Sequence, residues 1–202
     1  MKYLIDNSEP KEMDDLFEGQ LLTPLTAYRN WSPQRFAIEN GCFKRFRYRE
    51  FKRLIEREKQ NKDGCIYVTC PDVVGCAVRT LALFELRHKW IPKGWPIALV
   101  AQNGLEDMEI PWSEFQCLFI GGDDEFKRSP FIMETAIEAK NKGKHVHLGR
   151  CQSDRRHANW NGIADTADGS GISRGLGRHL KRIKGGLKEK YLFDGVTGEF
   201  ES

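Results

Sequence analysis

The sequence predicts an α/β fold, a compact (β/α) barrel, and three observations carry that prediction. Short apolar, β-branched runs recur along the chain, segments of helical period separate several of them, and polar residues and glycines collect where the runs end. The 202 residues, 40% of them hydrophobic, can bury one core and lie at the small end of what an α/β barrel needs. One domain over residues 1–202, with some units shortened, is therefore expected. A doubly wound open sheet is the competing arrangement, because periodicity alone does not separate the two.

In chain order the predicted strands are Leu21–Leu25, Phe36–Ile38, Cys65–Thr69, Ile97–Ala101, Cys117–Ile120, His145–Leu148 and a weaker run, Ile163–Ala167. Continuous apolar runs of this length read as strands covered on both faces. Between them the spacing predicts helices over Phe51–Lys59, Ala77–His88 and Ile132–Lys142. Strands that alternate with helices run parallel and are joined by crossovers. The linkers are short and none is Pro/Ser-rich, so no internal domain boundary is expected.

No stretch reaches the roughly 18–20 apolar residues of a membrane span, and no basic leader precedes an apolar run, so a soluble cytoplasmic protein is expected. The six cysteines, Cys42, Cys65, Cys70, Cys76, Cys117 and Cys151, are scattered through apolar segments and read as reduced thiols. Cys70 and Cys76 lack the close pairing of a metal site, and no zinc or other cofactor is expected from them.

The formal charge of +3 implies no nucleic-acid partner by itself, but the charge is unevenly placed. Residues 43–53 interleave six cations with four aromatics, and the basic C-terminal segment 174–190 carries seven Lys or Arg against one Glu. Lys44, Arg45, Arg47, Arg178, Lys181 and Arg182 are the candidate phosphate contacts. The alternative is two amphipathic helices with solvated basic faces.

The strand ends carry the chemistry. They finish in Glu39-Asn40-Gly41, Pro71-Asp72, Gln102-Asn103-Gly104, Gly121-Gly122-Asp123, Gly149-Arg150 and Asp168-Gly169. Gly and Asp after one strand are ordinary turn residues. Six such ends in a parallel α/β protein meet on one face, where active sites form.

With its neighbouring residues, Cys42-Phe43, Val73-Val74-Gly75, Val100-Ala101, Phe119-Ile120, His147-Leu148 and Asp165-Thr166-Ala167, this series resembles the tRNA-guanine transglycosylase superfamily. It is most similar to the branch that places deazaguanines into DNA, known from phages and bacterial modification clusters. The resemblance runs from Leu21 to Arg174 and keeps the motifs in order. It implies a TIM-like barrel and a pentosyltransferase that exchanges guanine in nucleic acid for a 7-deazaguanine. Asp168 would be the nucleophile, and Glu39 the second catalytic carboxylate. Asp72 and Gln102 would bond the base, and Gly121 and Gly122 would lie against it. The implied partners are DNA rather than tRNA and a free deazapurine base. A protein partner or a homodimer is left open, and a phage-encoded copy would act in the host cytoplasm.

The residue types suit that chemistry in their own right. Breaking an N-glycosidic bond develops positive charge on the sugar, which a carboxylate stabilises or traps. The departing base needs a proton from an acid of raised pKa, a role open to Glu39 or Asp72. An Asp with a Gln amide offers both acceptors and donors to discriminate a base.

The chain departs from the tRNA enzymes in three ways. It has no cysteine beyond Asp168 for their zinc site, it is shorter than they are, and Glu39 replaces an aspartate. Water in place of an incoming base would make the protein a DNA glycosylase, a tRNA-directed enzyme would need a partner, and loss of chemistry would leave a nucleic-acid-binding module. Among the remaining residues, Arg150 could hold phosphate or base, or a structural ion pair. His145 and His147 are expected on opposite faces of their strand, which argues against a shared metal. Asp123 and Asp124 are expected to cap the next helix, and Asp165 to support Asp168 or face solvent. Trp95, Trp112 and Trp160 read as packing residues.

Overall fold

The computed structural model describes residues 1–6, 15–25, 29–151 and 153–169. Eight strands follow one another: β1 (Lys2–Ile5), β2 (Phe17–Leu22), β3 (Phe36–Ile38), β4 (Cys65–Thr69), β5 (Ile97–Ala101), β6 (Cys117–Ile120), β7 (His145–Leu148) and β8 (Thr166–Ala167). Each pairs in parallel with the next, and β8 returns to β1 through Lys2↔Thr166 and Tyr3↔Ala167. The sheet is a closed barrel, which excludes the open doubly wound arrangement.

Three strands differ from expectation, one of them β8, which is only Thr166–Ala167 instead of Ile163–Ala167. β1, a four-residue run, is absent from the predicted series although Tyr3, Leu4 and Ile5 are all buried in it. β2 begins at Phe17 and ends at Leu22 instead of spanning Leu21–Leu25. Its Gln20 reads as a surface residue but is fully buried, with Nε2 donating to the Arg29 carbonyl (3.1 Å) and Oε1 accepting from the Trp31 amide (2.8 Å).

Alternation along the strands divides the core in two. Leu4, Leu21, Ala37, Tyr67, Ala98, Val100, Cys117 and Phe119 pack inside the barrel. Their neighbours, among them Phe36, Ile38, Leu99, Leu118, Ile120 and Val146, face outward into the larger cluster shared with the helices.

The α-helices among the described residues are α1 (Tyr48–Arg57), α2 (Ala77–Arg87), α3 (Pro130–Asn141) and α4 (Asp154–Trp160). In α1, Phe51, Leu54 and Ile55 share one face and bury it, which leaves the cations outside. α3 starts where Ser129 caps the Ile132 amide and Pro130 takes the first turn, a position that needs no N–H donor. α4 was not expected; its seven residues are too few for a clear period, yet they bury His157 and Trp160. Between β5 and β6 the chain makes two 3₁₀ turns, Leu105–Asp107 and Trp112–Glu114, with Pro111 directly before the second. Some units are thus shortened.

Trp95 and Trp160 are buried and Trp112 packs on Phe115, as packing residues do. All six cysteines are free. Among the described residues no helix is long and apolar enough to cross a membrane.

Candidate active site

The inward register continues past the C-terminal ends of the strands. Leu4 is followed two residues on by Asp6, Ala37 by Glu39, Val100 by Gln102, Phe119 by Gly121, and Thr166 by Asp168. All of these end residues line one cavity of about 390 Å³, with Thr69, Val100 and Phe119 among its walls. Asp72, Gly122, Arg150 and Lys44 complete it from the loops. The seven residues expected to catalyse or to bind substrate therefore share a single cavity. Lys44 reaches it, whereas Arg45 and Arg47 stand exposed outside it. Arg178, Lys181 and Arg182 lie outside the described residues.

Asp168 is held as an ionised acceptor. Its Oδ1 accepts from the Arg150 amide (2.8 Å) and lies 3.1 Å from His147 Nε2, while Oδ2 has no hydrogen bond among the described residues. Burial pushes this carboxyl up, but the hydrogen bond from His147, the Arg150 amide and the Lys127 ammonium together hold it below the usual carboxylate range. Lys127 is 1% exposed and lines the same cavity, with Nζ donating to the Gly149 carbonyl (2.6 Å). Burial, then the neighbouring Arg150, brings its amine down to about 8.

Glu39 has the opposite surroundings. Burial, then Asp168, Asp72 and Asp6, raise its carboxyl to about 8, against a smaller opposing pull from Arg150. At neutral pH it carries a proton and can act as a donor.

Asp72 and Gln102 form a preassembled pair. Gln102 Nε2 donates to Asp72 Oδ2 (2.7 Å), and its Oε1 accepts from the Gly75 amide (2.9 Å) and the Gly122 amide (2.8 Å), so the carboxamide has one orientation. Asn40 Nδ2 donates to Asp72 Oδ1 (2.8 Å). Burial raises the Asp72 carboxyl, opposed by the donors Asn40, Gln102 and Cys42. The glycine pair is sterically required here. A Cβ on Gly121 would stand 2.8 Å from Gln102 Nε2, and one on Gly122, at φ +72°, would stand 2.5 Å from Phe126.

Arg150 works through its backbone as well as its side chain. It adopts φ 55°, rare for a residue with a side chain, and this places its amide on Asp168. Its guanidinium donates to the Gly122 carbonyl (3.2 Å) and sits 4.4 Å over the exposed Phe43 ring. No ion pair to a strand-end carboxylate forms among the described residues.

Three expectations about neighbouring residues change, and that for Asp123 holds at a 3₁₀ turn. His145 and His147 face the same side, as residues two apart on a strand do, and both approach Thr166 Oγ1. Asp123 accepts from the Glu125 and Phe126 amides and so caps the 3₁₀ turn Phe126–Arg128, while Ser129 caps α3. Asp124 pairs with Arg156 (2.6 Å) and caps no helix. Asp165 bonds Lys140 and the Val146 amide, away from Asp168.

Sequence reasoning missed Asp6, Lys127 and the His147 contact. Asp6 had a signal, the same polar residue after an apolar run as the other strand ends. Lys127 had none, since Phe-Lys-Arg reads as a surface turn. Among the described residues no group of three or more His, Cys, Asp or Glu is arranged to hold a metal ion. Compared with known proteins, the chain matches no family model and no curated protein.

Proposed function

We propose that this TIM-like barrel is a base-exchange glycosyltransferase that removes guanine from DNA and installs a 7-deazaguanine through a covalent aspartyl-sugar ester. The observation that carries the reading is one cavity holding two carboxylates of opposite character, Asp168 ionised and Glu39 protonated, beside the oriented Asp72–Gln102 pair. Its volume lies within the roughly 300–1,000 Å³ of small-molecule pockets.

In this reading the target nucleotide is flipped into the cavity. Asp72 still has lone pairs for the N–H donors of the guanine edge, and Gln102 Nε2 keeps one hydrogen for O6. Asp168 Oδ2 attacks C1′, the bond from C1′ to the base breaks, and the electron pair leaves with the base. Glu39 gives its proton to that base. The incoming base then surrenders a proton to the Glu39 carboxylate and attacks C1′, and the ester bond to Asp168 breaks. Lys44, which lines the cavity, and the exposed Arg45 and Arg47 that follow it in the chain would contact the flanking phosphates.

The test is nucleoside analysis of a guanine-containing DNA oligonucleotide incubated with the protein, with and without a free 7-deazaguanine, alongside intact-mass analysis of the protein. Base replacement only when the free base is present supports exchange. Base loss without it means that water resolves the ester and the protein is a glycosylase. No change with DNA, or with tRNA run in parallel, rejects both. Replacing Lys44, Arg45 and Arg47 by Glu should weaken DNA binding and lower its salt slope by about one for each phosphate no longer neutralised.

A further inference from the structure

Below the cavity the barrel interior holds polar groups that the exchange reaction leaves without a role: Tyr67, His145, His147 and Thr166. His147 is fully buried, its ring 4.6 Å from that of Phe119 and 5.0 Å from that of Tyr67. Its Nε2 lies 3.1 Å from Asp168 Oδ1 and its Nδ1 2.9 Å from Thr166 Oγ1, and the same hydroxyl lies 2.8 Å from His145 Nε2.

With a neutral His147 ring, one placement of hydrogens satisfies this chain. An ionised carboxylate only accepts, so His147 Nε2 must carry the hydrogen toward Asp168. A neutral ring then has a bare Nδ1, and the Thr166 hydroxyl must donate to it. That uses the one hydrogen of the hydroxyl, so Thr166 can only accept from His145 Nε2–H. Donation therefore runs one way, His145 to Thr166 to His147 to Asp168.

The surroundings oppose a second proton on His147. Burial and the Lys127 charge lower its pKa, against the hydrogen bond and charge of Asp168. His145 is lowered to about 4, by burial and then by His147, with Asp165 3.9 Å from its Nδ1 pulling the other way. Tyr67, the other titratable group against the ring, is pushed well above its ordinary range by burial.

We infer that His147 is a positioning residue, a fixed donor whose Nδ1 is occupied by Thr166, so that it orients Asp168 through Oδ1 and leaves Oδ2 to attack. The assignment of the attack rests on reading Asp168 as the nucleophile; the hydrogen-bond chain does not. His147 on this account never serves as a proton acceptor.

Imidazole ¹⁵N spectra of the full chain test it, together with ¹³C titration of the Asp168 carboxyl. The expected result is a neutral Nε2–H ring at both His147 and His145 from about pH 6 to about pH 8. His147→Phe keeps an aromatic ring beside Phe119 and Tyr67 but removes the donor. It should raise the Asp168 midpoint by about one unit and lower kcat about tenfold or more with KM kept. His147→Gln, which restores an N–H, should recover part of both. An Nδ1–H or imidazolium form of His147 in the wild type overturns the inference, as does an unmoved Asp168 midpoint in His147→Phe. If the wild type neither removes nor exchanges a base, the proposed function fails while the two spectroscopic measurements still decide the chain.

Discussion

Asp168 enters the cavity from the β7–β8 side and Glu39 from the β3 side, and each stands two residues beyond an inward-facing strand residue. Register, depth and functional group are shared. The difference lies in what each wall adds. The β7–β8 wall supplies an imidazole, a peptide N–H and a buried ammonium, and the carboxyl there is pulled down. Around Glu39 there are burial and the carboxylates of Asp168 across the cavity, Asp72 beyond β4 and Asp6 beyond β1, and the carboxyl there is pushed up to about 8. One fold thus makes a base form and an acid form of the same group at one pH, through neighbours alone.

The strongest way to break this comparison is Asp168→Asn, which keeps the shape and removes the charge. Loss of base removal on the order of 10⁴-fold or more is expected in the nucleoside assay, with no covalent adduct by mass. A retained rate would mean that the two walls do not divide the chemistry as described. Next comes Glu39→Gln, expected to cost about 10² to 10⁴-fold and to erase the fall in rate that the wild type should show as pH rises through about 8.

The same variant sharpens the comparison without any assay of activity. The folded state holds the Glu39 proton up to about 8, while the unfolded chain releases it near the ordinary 4.5. Between those values the folded state binds more protons, so wild-type stability falls as pH rises and Glu39→Gln escapes the fall. Denaturant melts at several pH values should show the variant gaining on the wild type by up to about 5 kcal/mol between the two limits. A gap independent of pH would place Glu39 in solvent. Lys127→Met should have the smallest effect. It leaves the Gly149 carbonyl without its donor, at about 1–3 kcal/mol, and should raise the Asp168 midpoint in a carboxyl titration.

The sequence made the inward register readable because apolar side chains inside the strands pass abruptly to polar ones at their ends. Glu39, Gln102, Gly121 and Asp168 follow from that pattern, and Asp72, Gly122 and Arg150 from the loops beside it. What stayed hidden depends on burial and direction. The pattern distinguishes a buried lysine from a surface one poorly, so Lys127 passed for part of a turn. His147 was identified as polar, but its role depends on which hydrogen each neighbour offers, and Thr166 reads as a plain strand residue. The backbone turn that puts the Arg150 amide on Asp168 depends on a φ value that an Arg does not advertise. β1 escaped notice because four residues give too short a window for a period.

The seam that closes the barrel is made by its shortest strand, since β8 contributes only Thr166 and Ala167 between β7 and β1. Asp168 follows directly on that seam. Folding must therefore bring β8 back to β1 before Asp168 takes its place in the cavity, which makes the site a late product of a topology rich in long-range pairings. Heating should reverse the order: the seam opens first, amide exchange at Thr166 and Ala167 outpaces that of β5 and β6, and activity fades while most of the barrel still stands.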